Sequence, residues 1–328
     1  MKQLLIISSS ADSECDSIHR HLVKNKVSFF RLNADRFHDR YAIEIDPGHS
    51  TFKLTHRKTG ASITESTVGA VWWSRYALPG NTHQMFEPHL REFIDEEYYS
   101  TLIAILSCLP DTIPVLNHPI KHYIAGHKAY QQKVAVQCGF ALPNQVIANS
   151  AASYLNKPWH TNAVYKPVSN SQYITKNKQQ FFATVRKIDK PLLAAIRLNK
   201  IELHIHHFQE QIEGMEEYRV TVFGDCVMAF RIDGAKGFDW RLSLNDLHYT
   251  HIPNFPVAQN CLAYMKAMDI LFGCFDIIRS KQNGYYFLEC NAPGYFLFLD
   301  PKGKHNMAKQ FTSYLIALTM QNNETPVN

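Results

Sequence analysis

Near the C-terminal end two apolar runs, Cys274–Ile278 and Tyr285–Cys290, flank a Gln282-Asn283-Gly284 turn, and carboxylates interrupt both. That spacing predicts a pair of antiparallel strands. Side chains alternate along a strand, so Glu289 and Asn291 share one face, and Asp276 joins them from across the pair in the matching register. Among Phe275, Ile277, Phe287 and Cys290, such a set is costly to bury without a cation. Hard oxygen donors of this kind suit magnesium carried on phosphates better than zinc. Any one of the three alone reads as a polar residue on a wet hairpin face. The set points to a metal.

The rest of the chain surrounds this hairpin with alternating elements. Leu4–Ile7, a helical pattern through Ile18, His21 and Leu22, and Val27–Leu32 open a parallel α/β layer. Tyr41–Asp46 and Ser50–His56 read as a hairpin, Val68–Trp73 as a buried strand, and Phe86–Leu109 as a helix. Pro110, Pro114 and Pro119 mark a boundary near residue 120. Beyond it come a helix over Lys128–Cys138 stopped by Gly139, a strand at Val146–Ala148, and a helix near Ser150–Leu155. Strands follow at Ala163–Lys166 and Ile201–Ile212, then a hairpin over Tyr218–Arg231 turning at Gly224-Asp225, and helices over Gln259–Leu271 and Phe311–Leu318. With 328 residues, 45% of them apolar and 19% charged, the chain is long enough for several packed lobes. The net charge of +5 has no basic block to concentrate it, which points away from nucleic acid and is compatible with a polyanion such as ATP. The initial apolar run ends after four residues, too short for a signal peptide or a membrane span. The seven cysteines contain no CxxC pair and read as reduced thiols, so the expected setting is the cytoplasm.

Several segments, in order, resemble one superfamily. Phe275-Asp-Ile-Ile followed by Phe287-Leu-Glu-Cys-Asn looks like the metal-binding end of the ATP-grasp ligases. Gly126-His-Lys resembles the start of their nucleotide lobe, Ala163-Val-Tyr-Lys-Pro their second lysine strand, and Phe208–Ile212 with Glu217–Val220 their adenine hinge. Val71-Trp-Trp-Ser-Arg75, Glu217–Gly224 and Asp239-Trp-Arg241 are similar to the microviridin-type graspetide synthetases, which crosslink peptides. Two departures stand out: Asn291-Ala-Pro-Gly-Tyr295 lacks that branch's glutamine and tryptophan, and Ser169–Ser171 has no glycine.

The resemblance implies an α/β protein of α+β lobes: an N-terminal parallel α/β domain over 1–120, a central ATP-grasp lobe over 121–205, and a C-terminal lobe over 206–328 carrying the metal site. The two later lobes would clamp the nucleotide. It implies ATP and Mg2+ as cofactors, with Lys128 and Lys166 on the phosphates and Asp276, Glu289 and Asn291 on the metal. The backbone of Glu210, Gln211 and Ile212 would read adenine, Glu213 or Glu217 would hold the ribose, and Arg219 and Arg241 would meet the transferring phosphoryl group as guanidinium forks. The implied reaction is ADP-forming ligation of Asp or Glu side chains of a ribosomal precursor peptide to Ser/Thr hydroxyls or Lys amines. A homodimer is the implied assembly, with no nucleic acid or membrane partner. The alternatives are a RimK- or glutathione-synthetase-like ligase that adds amino acids to a protein or small molecule, and a non-catalytic nucleotide- or peptide-binding relative. His204-Ile-His-His207 reads as packed or wet strand histidines rather than a metal site, for want of a third ligand. Trp72-Trp73 reads as a buried strand end, and Asp95-Glu-Glu97 as a solvated helix face.

Overall fold

The computed structural model describes residues 2–74, 87, 90–168, 172–174, 180–182, 185–189, 205–234, 240 and 246–321. The chain forms two units, one of Met1–Pro119, Ile270–Phe272 and Tyr295–Asn328, the other of Ile120–Asp269 and Gly273–Gly294.

The first unit is built on β1 (Gln3–Ser8), whose Leu4–Ile7 core is wholly buried. It continues through α1 (Ser13–Lys24), β2 (Phe29–Asn33), the short α2 (Phe37–Arg40), β3 (Tyr41–Asp46), β4 (Thr51–His56), β5 (Ser62–Thr64), β6 (Val68–Trp73), α3 (Arg91–Ser107) and β7 (Val115–Leu116). Strands β2-β1-β6-β7 form a parallel sheet in that order, and β3-β4-β5 an antiparallel one. The continuous apolar runs at β1 and β6 are those of strands covered on both faces. Asp12 caps α1 by accepting the Cys15 amide at 3.0 Å. Its other oxygen accepts the Ser8 and Ser74 hydroxyls at 3.0 and 2.7 Å, tying the ends of β1 and β6 together.

The second unit begins with α4 (Pro119–Ala125) and α5 (Lys128–Gln137), then β8 (Gln145–Ala148), α6 (Ala151–Leu155) and β9 (Ala163–Lys166). Gly139 closes α5 at φ +82, a left-handed conformation in which glycine carries no Cβ penalty. Next come β10 (Gln172–Ile174), β11 (Gln180–Phe182), β12 (Arg186–Lys187), β13 (His206–Glu210), β14 (Gly214–Phe223), β15 (Cys226–Asp233), β16 (His248–Ile252), α7 (Ala258–Ala267), β17 (Phe272–Ser280) and β18 (Tyr285–Asn291). One sheet has the order β12-β9-β13-β8, a second the order β16-β15-β14-β17-β18, and β10-β11 pair alone.

The closing helix α8 (Met307–Gln321) belongs to the first unit. Phe311 meets Trp72 edge-on at 5.2 Å, and a Cβ on Gly69 of β6 would lie 2.5 Å from the Thr319 carbonyl. The Glu14 carboxylate accepts the amides of Phe296 and Leu297 at 2.8 and 2.7 Å, fixing the entry to this segment onto α1. Trp73 packs on Tyr99, so both tryptophans lie in the core, each at most 4% exposed. Asp12→Ala removes a cap and strands two buried hydroxyls, and is expected to lower stability by about 2–3 kcal/mol. Urea unfolding followed by tryptophan fluorescence measures this, and Asp12→Asn should recover part of the loss.

Candidate active site

Strands β17 and β18 pair with Asp276 opposite Glu289 and Cys274 opposite Asn291. The register shifts directly after Asp276, so that Ile277 faces Phe287 and Leu288 is the extra residue of a bulge. The amide of Asn291 lies 3.3 Å from Glu289 Oε1 and 3.5 Å from Asp276 Oδ2. All three oxygen-bearing side chains therefore converge, as the alternation requires. Two like charges directly opposite each other on a sheet repel, and the neighbouring cations offset that repulsion. Arg219 Nη1 on β14 donates to Asp276 Oδ1 at 2.9 Å. Lys128 Nζ, at the start of α5, donates to the Pro167 carbonyl at 2.7 Å and lies 3.9 Å from Glu289 Oε2.

Lys166, on β9, sits in the same field. Its ammonium is lowered to about 8, by burial above all and also by Lys128, against the opposing pull of Glu289, Asp276 and Glu217. For Arg219 burial acts against the charge, but Asp276, by charge and hydrogen bond, and Glu289 more than compensate and raise its pKa. Its side chain is only 6% exposed, against 17% for Asp276 and 25% for Glu289. The site is a half-open pair of carboxylates backed by a buried cation.

The helix α5 holds the carboxylate strand in place, a feature the sequence reading missed. Gln131 donates to the Cys290 carbonyl at 2.9 Å and accepts the Cys290 amide at 3.0 Å, acting as the next strand would. Gln132 donates at 3.0 Å to Leu288, the carbonyl of the bulge residue. From there a half-buried polar chain runs on. Gln145 donates to Gln132 Oε1 at 3.1 Å, and its own Oε1 accepts from His207 at 2.7 Å and from Gln209 at 3.3 Å. His207 is the cross-strand partner of Lys166. The period-2 spacing of His207 and Gln209 was the available signal, since it puts both on the face of β13 that carries Lys166. His206 and Phe208 take the other face, against Tyr165. Both described histidines are thus packed, 3% and 2% exposed; His204 lies outside the described residues.

The hinge residues run from Glu210, the last residue of β13, through Gln211 and Ile212 towards β14. The Glu210 amide donates to the Asn144 carbonyl at 2.7 Å, and the Gln211 amide to the Asn162 carbonyl at 2.9 Å. Those two N–H groups are thereby engaged within the protein, whereas Ile212 makes neither contact. Glu213 pairs with Lys281 at 2.8 Å on the surface, while Glu217 acts on Lys166 electrostatically. Arg241 and Arg75 lie outside the described residues, as do Tyr76 and Ser169–Ser171.

The donor set fits a phosphate-bound magnesium ion: two carboxylates and an amide, with lysines beside them. Among the described residues no group of three His, Cys, Asp or Glu side chains is placed for a metal. Residues 3–122 match the family described as the MvdD pre-ATP grasp domain. The whole chain superimposes on an ATP-grasp ligase from Chryseobacterium gregarium, associated with ribosomally synthesised, post-translationally modified peptides (RiPPs), in complex with ADP and a leader and core peptide. The TM-score is 0.82 at 22% identity, over 99% of this chain and 98% of that one. This is the ATP-grasp fold. The macrocyclase MdnC of Microcystis aeruginosa MRC, bound with precursor peptide MdnA, matches with a TM-score of 0.81 at 20% identity, over 96% and 99% of the two chains. The ATP-grasp ligase PsnB, complexed with a phosphomimetic variant of a minimal precursor, Mg and ADP, matches at 0.77 and 18% identity, over 97% and 99%. No curated protein matches in sequence.

Within this ATP-grasp fold, burial first, and then the charges of Lys166 and Lys128, push the His207 imidazole from 6.5 down to about 4. The unfolded chain then takes up the proton first, so stability is fully present above pH 6.5 and is lost as pH falls towards 4. Across that window the loss amounts to about 3 kcal/mol. His207→Gln should flatten this part of the profile, measured as the urea midpoint at pH 7, 5.5 and 4.5.

Proposed function

We propose that this chain is an ADP-forming ligase. It phosphorylates Asp or Glu side-chain carboxylates of a ribosomal precursor peptide and joins them to Ser/Thr hydroxyls or Lys amines, closing rings. The observation that carries the reading is the convergence of Asp276, Glu289 and Asn291 with Lys128, Lys166 and Arg219 in an ATP-grasp fold. The likeness to ligases solved with ADP and precursor peptides supports the peptide as substrate.

In this reading Lys128 and Lys166 hold the phosphates, and the Ile212 amide reads the adenine edge beside Glu210 and Gln211. Glu217, facing the lysine field, takes the ribose in preference to the Lys281-paired Glu213. Asp276, Glu289 and Asn291 would hold magnesium, which when bound supplies charge neutralisation along the β- and γ-phosphates. A peptide carboxylate oxygen attacks the γ-phosphorus, the bond to the β-phosphate oxygen breaks, and ADP leaves. Arg219, and Arg241 by its resemblance, neutralise the charge on the transferring group. The peptide's hydroxyl or amine then attacks the acyl carbon, losing its proton as inorganic phosphate departs. The sum is loss of one water from the peptide per bond closed.

We place the enzyme in the cytoplasm as a homodimer, without nucleic-acid partners. None of the seven cysteines is in a disulfide, and no helix among the described residues is long and apolar enough to cross a membrane. Incubation of candidate precursor peptides with enzyme, ATP and magnesium should give peptide masses reduced by whole waters, matched by ADP. Asp276→Ala and Glu289→Ala should each abolish ADP formation while leaving the circular dichroism unchanged. Undiminished turnover in either variant removes the metal assignment.

A further inference from the structure

Where β18 ends, the chain turns back beside Arg219. A Cβ placed on Gly294 would lie 2.5 Å from Arg219 Nη2, 2.6 Å from Cys274 Cβ and 3.0 Å from Cys274 Sγ. Gly294 is not among the residues with positive φ, so its backbone conformation is open to any L-residue. What the position demands is space, not torsional freedom. The third wall is held as well: Cys274 Sγ donates to the Gly294 carbonyl at 3.6 Å and lies 3.8 Å from the fully buried Thr221 hydroxyl. The guanidinium therefore has a fixed floor at Asp276 and a backbone roof at Gly294.

We propose that Gly294, with Cys274, is a positioning element for the reaction. Its missing side chain forms the slot that aims the Arg219 fork along Asp276 at the γ-phosphoryl position. This rests on the ligase reading for what Arg219 meets, but the slot itself is a matter of geometry. A planar fork needs such a slot; the narrow ammonium of a lysine does not. A displacement of about 1 Å at such a group is enough to cost activity heavily.

The test is Gly294→Ala in wild-type and Arg219→Lys backgrounds. Each protein is crystallised, and each is titrated calorimetrically with ADP and with the non-hydrolysable analogue AMPPNP in magnesium. The expected result is an Arg219 guanidinium displaced from Asp276 in the variant crystal. ADP affinity should stay within about twofold while AMPPNP affinity falls about tenfold or more. In the Arg219→Lys background the same substitution should cost nothing further. The proposal is overturned if Arg219 keeps its hydrogen bond to Asp276 in the Gly294→Ala crystal, or if the AMPPNP loss is the same in both backgrounds. Should Gly294→Ala fail to fold, Cys274→Ala opens the same slot from its side wall: the Arg219 guanidinium should then shift and AMPPNP affinity fall, and an unmoved guanidinium with unchanged AMPPNP affinity overturns the proposal. If wild-type protein binds neither nucleotide, it is the ligase reading that falls, and the crystal geometry still decides the slot.

Discussion

The second unit depends on an edge strand that cannot hold itself. In β18 the chain carries Glu289 directly opposite Asp276, and the bulge at Leu288 removes one carbonyl from the β17 ladder. Like charges and a broken ladder both weaken a strand pair. Two glutamines of α5 restore what is missing. Gln131 takes both backbone groups of Cys290, and Gln132 takes the Leu288 carbonyl. Buried backbone groups left without partners would cost about 1–3 kcal/mol each, so these contacts are what let the carboxylates stand on an edge, open to a ligand. Lys128, the first residue of the same helix, lies beside Glu289. One helix thus braces the strand and brings a cation to its carboxylate.

The electrostatics follow from that placement. Lys166 has a pKa of about 8 because burial works against its charge and the carboxylates work for it. An arriving phosphate chain would add negative charge next to an ammonium that burial has already made expensive, which strengthens the attraction. His207 is held neutral on the same sheet face, with Nε2 fixed by the Gln145 side-chain carbonyl. A protonated imidazole there would face Lys166 across the ladder, with only the weaker pull of Glu289 in its favour. The polar chain from His207 to Leu288 therefore sets both the tautomer next to the lysine and the carbonyl beside Glu289.

Much of this arrangement was legible because its signals are local. Period-2 alternation in short apolar runs located β17 and β18 and put Asp276, Glu289 and Asn291 on one face. Gly139, Gly224 and Asn283 marked turns that the backbone adopts with positive φ. What stayed hidden is non-local. Gln131 and Gln132 look like the solvated side of a helix, and only their distance from β18 shows otherwise. That Tyr295–Asn328 joins the first unit has no local signature either, since the Glu14 contact to Phe296 spans 282 positions. The pairing of Glu213 with Lys281 likewise has no local signal, since 68 positions separate them.

The Arg219–Asp276 pair is best understood as retained for something other than stability. Taking two charges out of water costs several kcal/mol each, and well-packed apolar residues of similar volume commonly do as well or better. The surroundings supply such residues in plenty: Val220 and Val222 on the same strand are fully buried. Yet the pair is kept and confined between a carboxylate and a glycine, with a thiol as the side wall. An arginine so enclosed retains its charge and loses its rotamer freedom before any ligand arrives. Orientation is then fixed during folding, and an oxyanion forming beside it would meet a fork already in position.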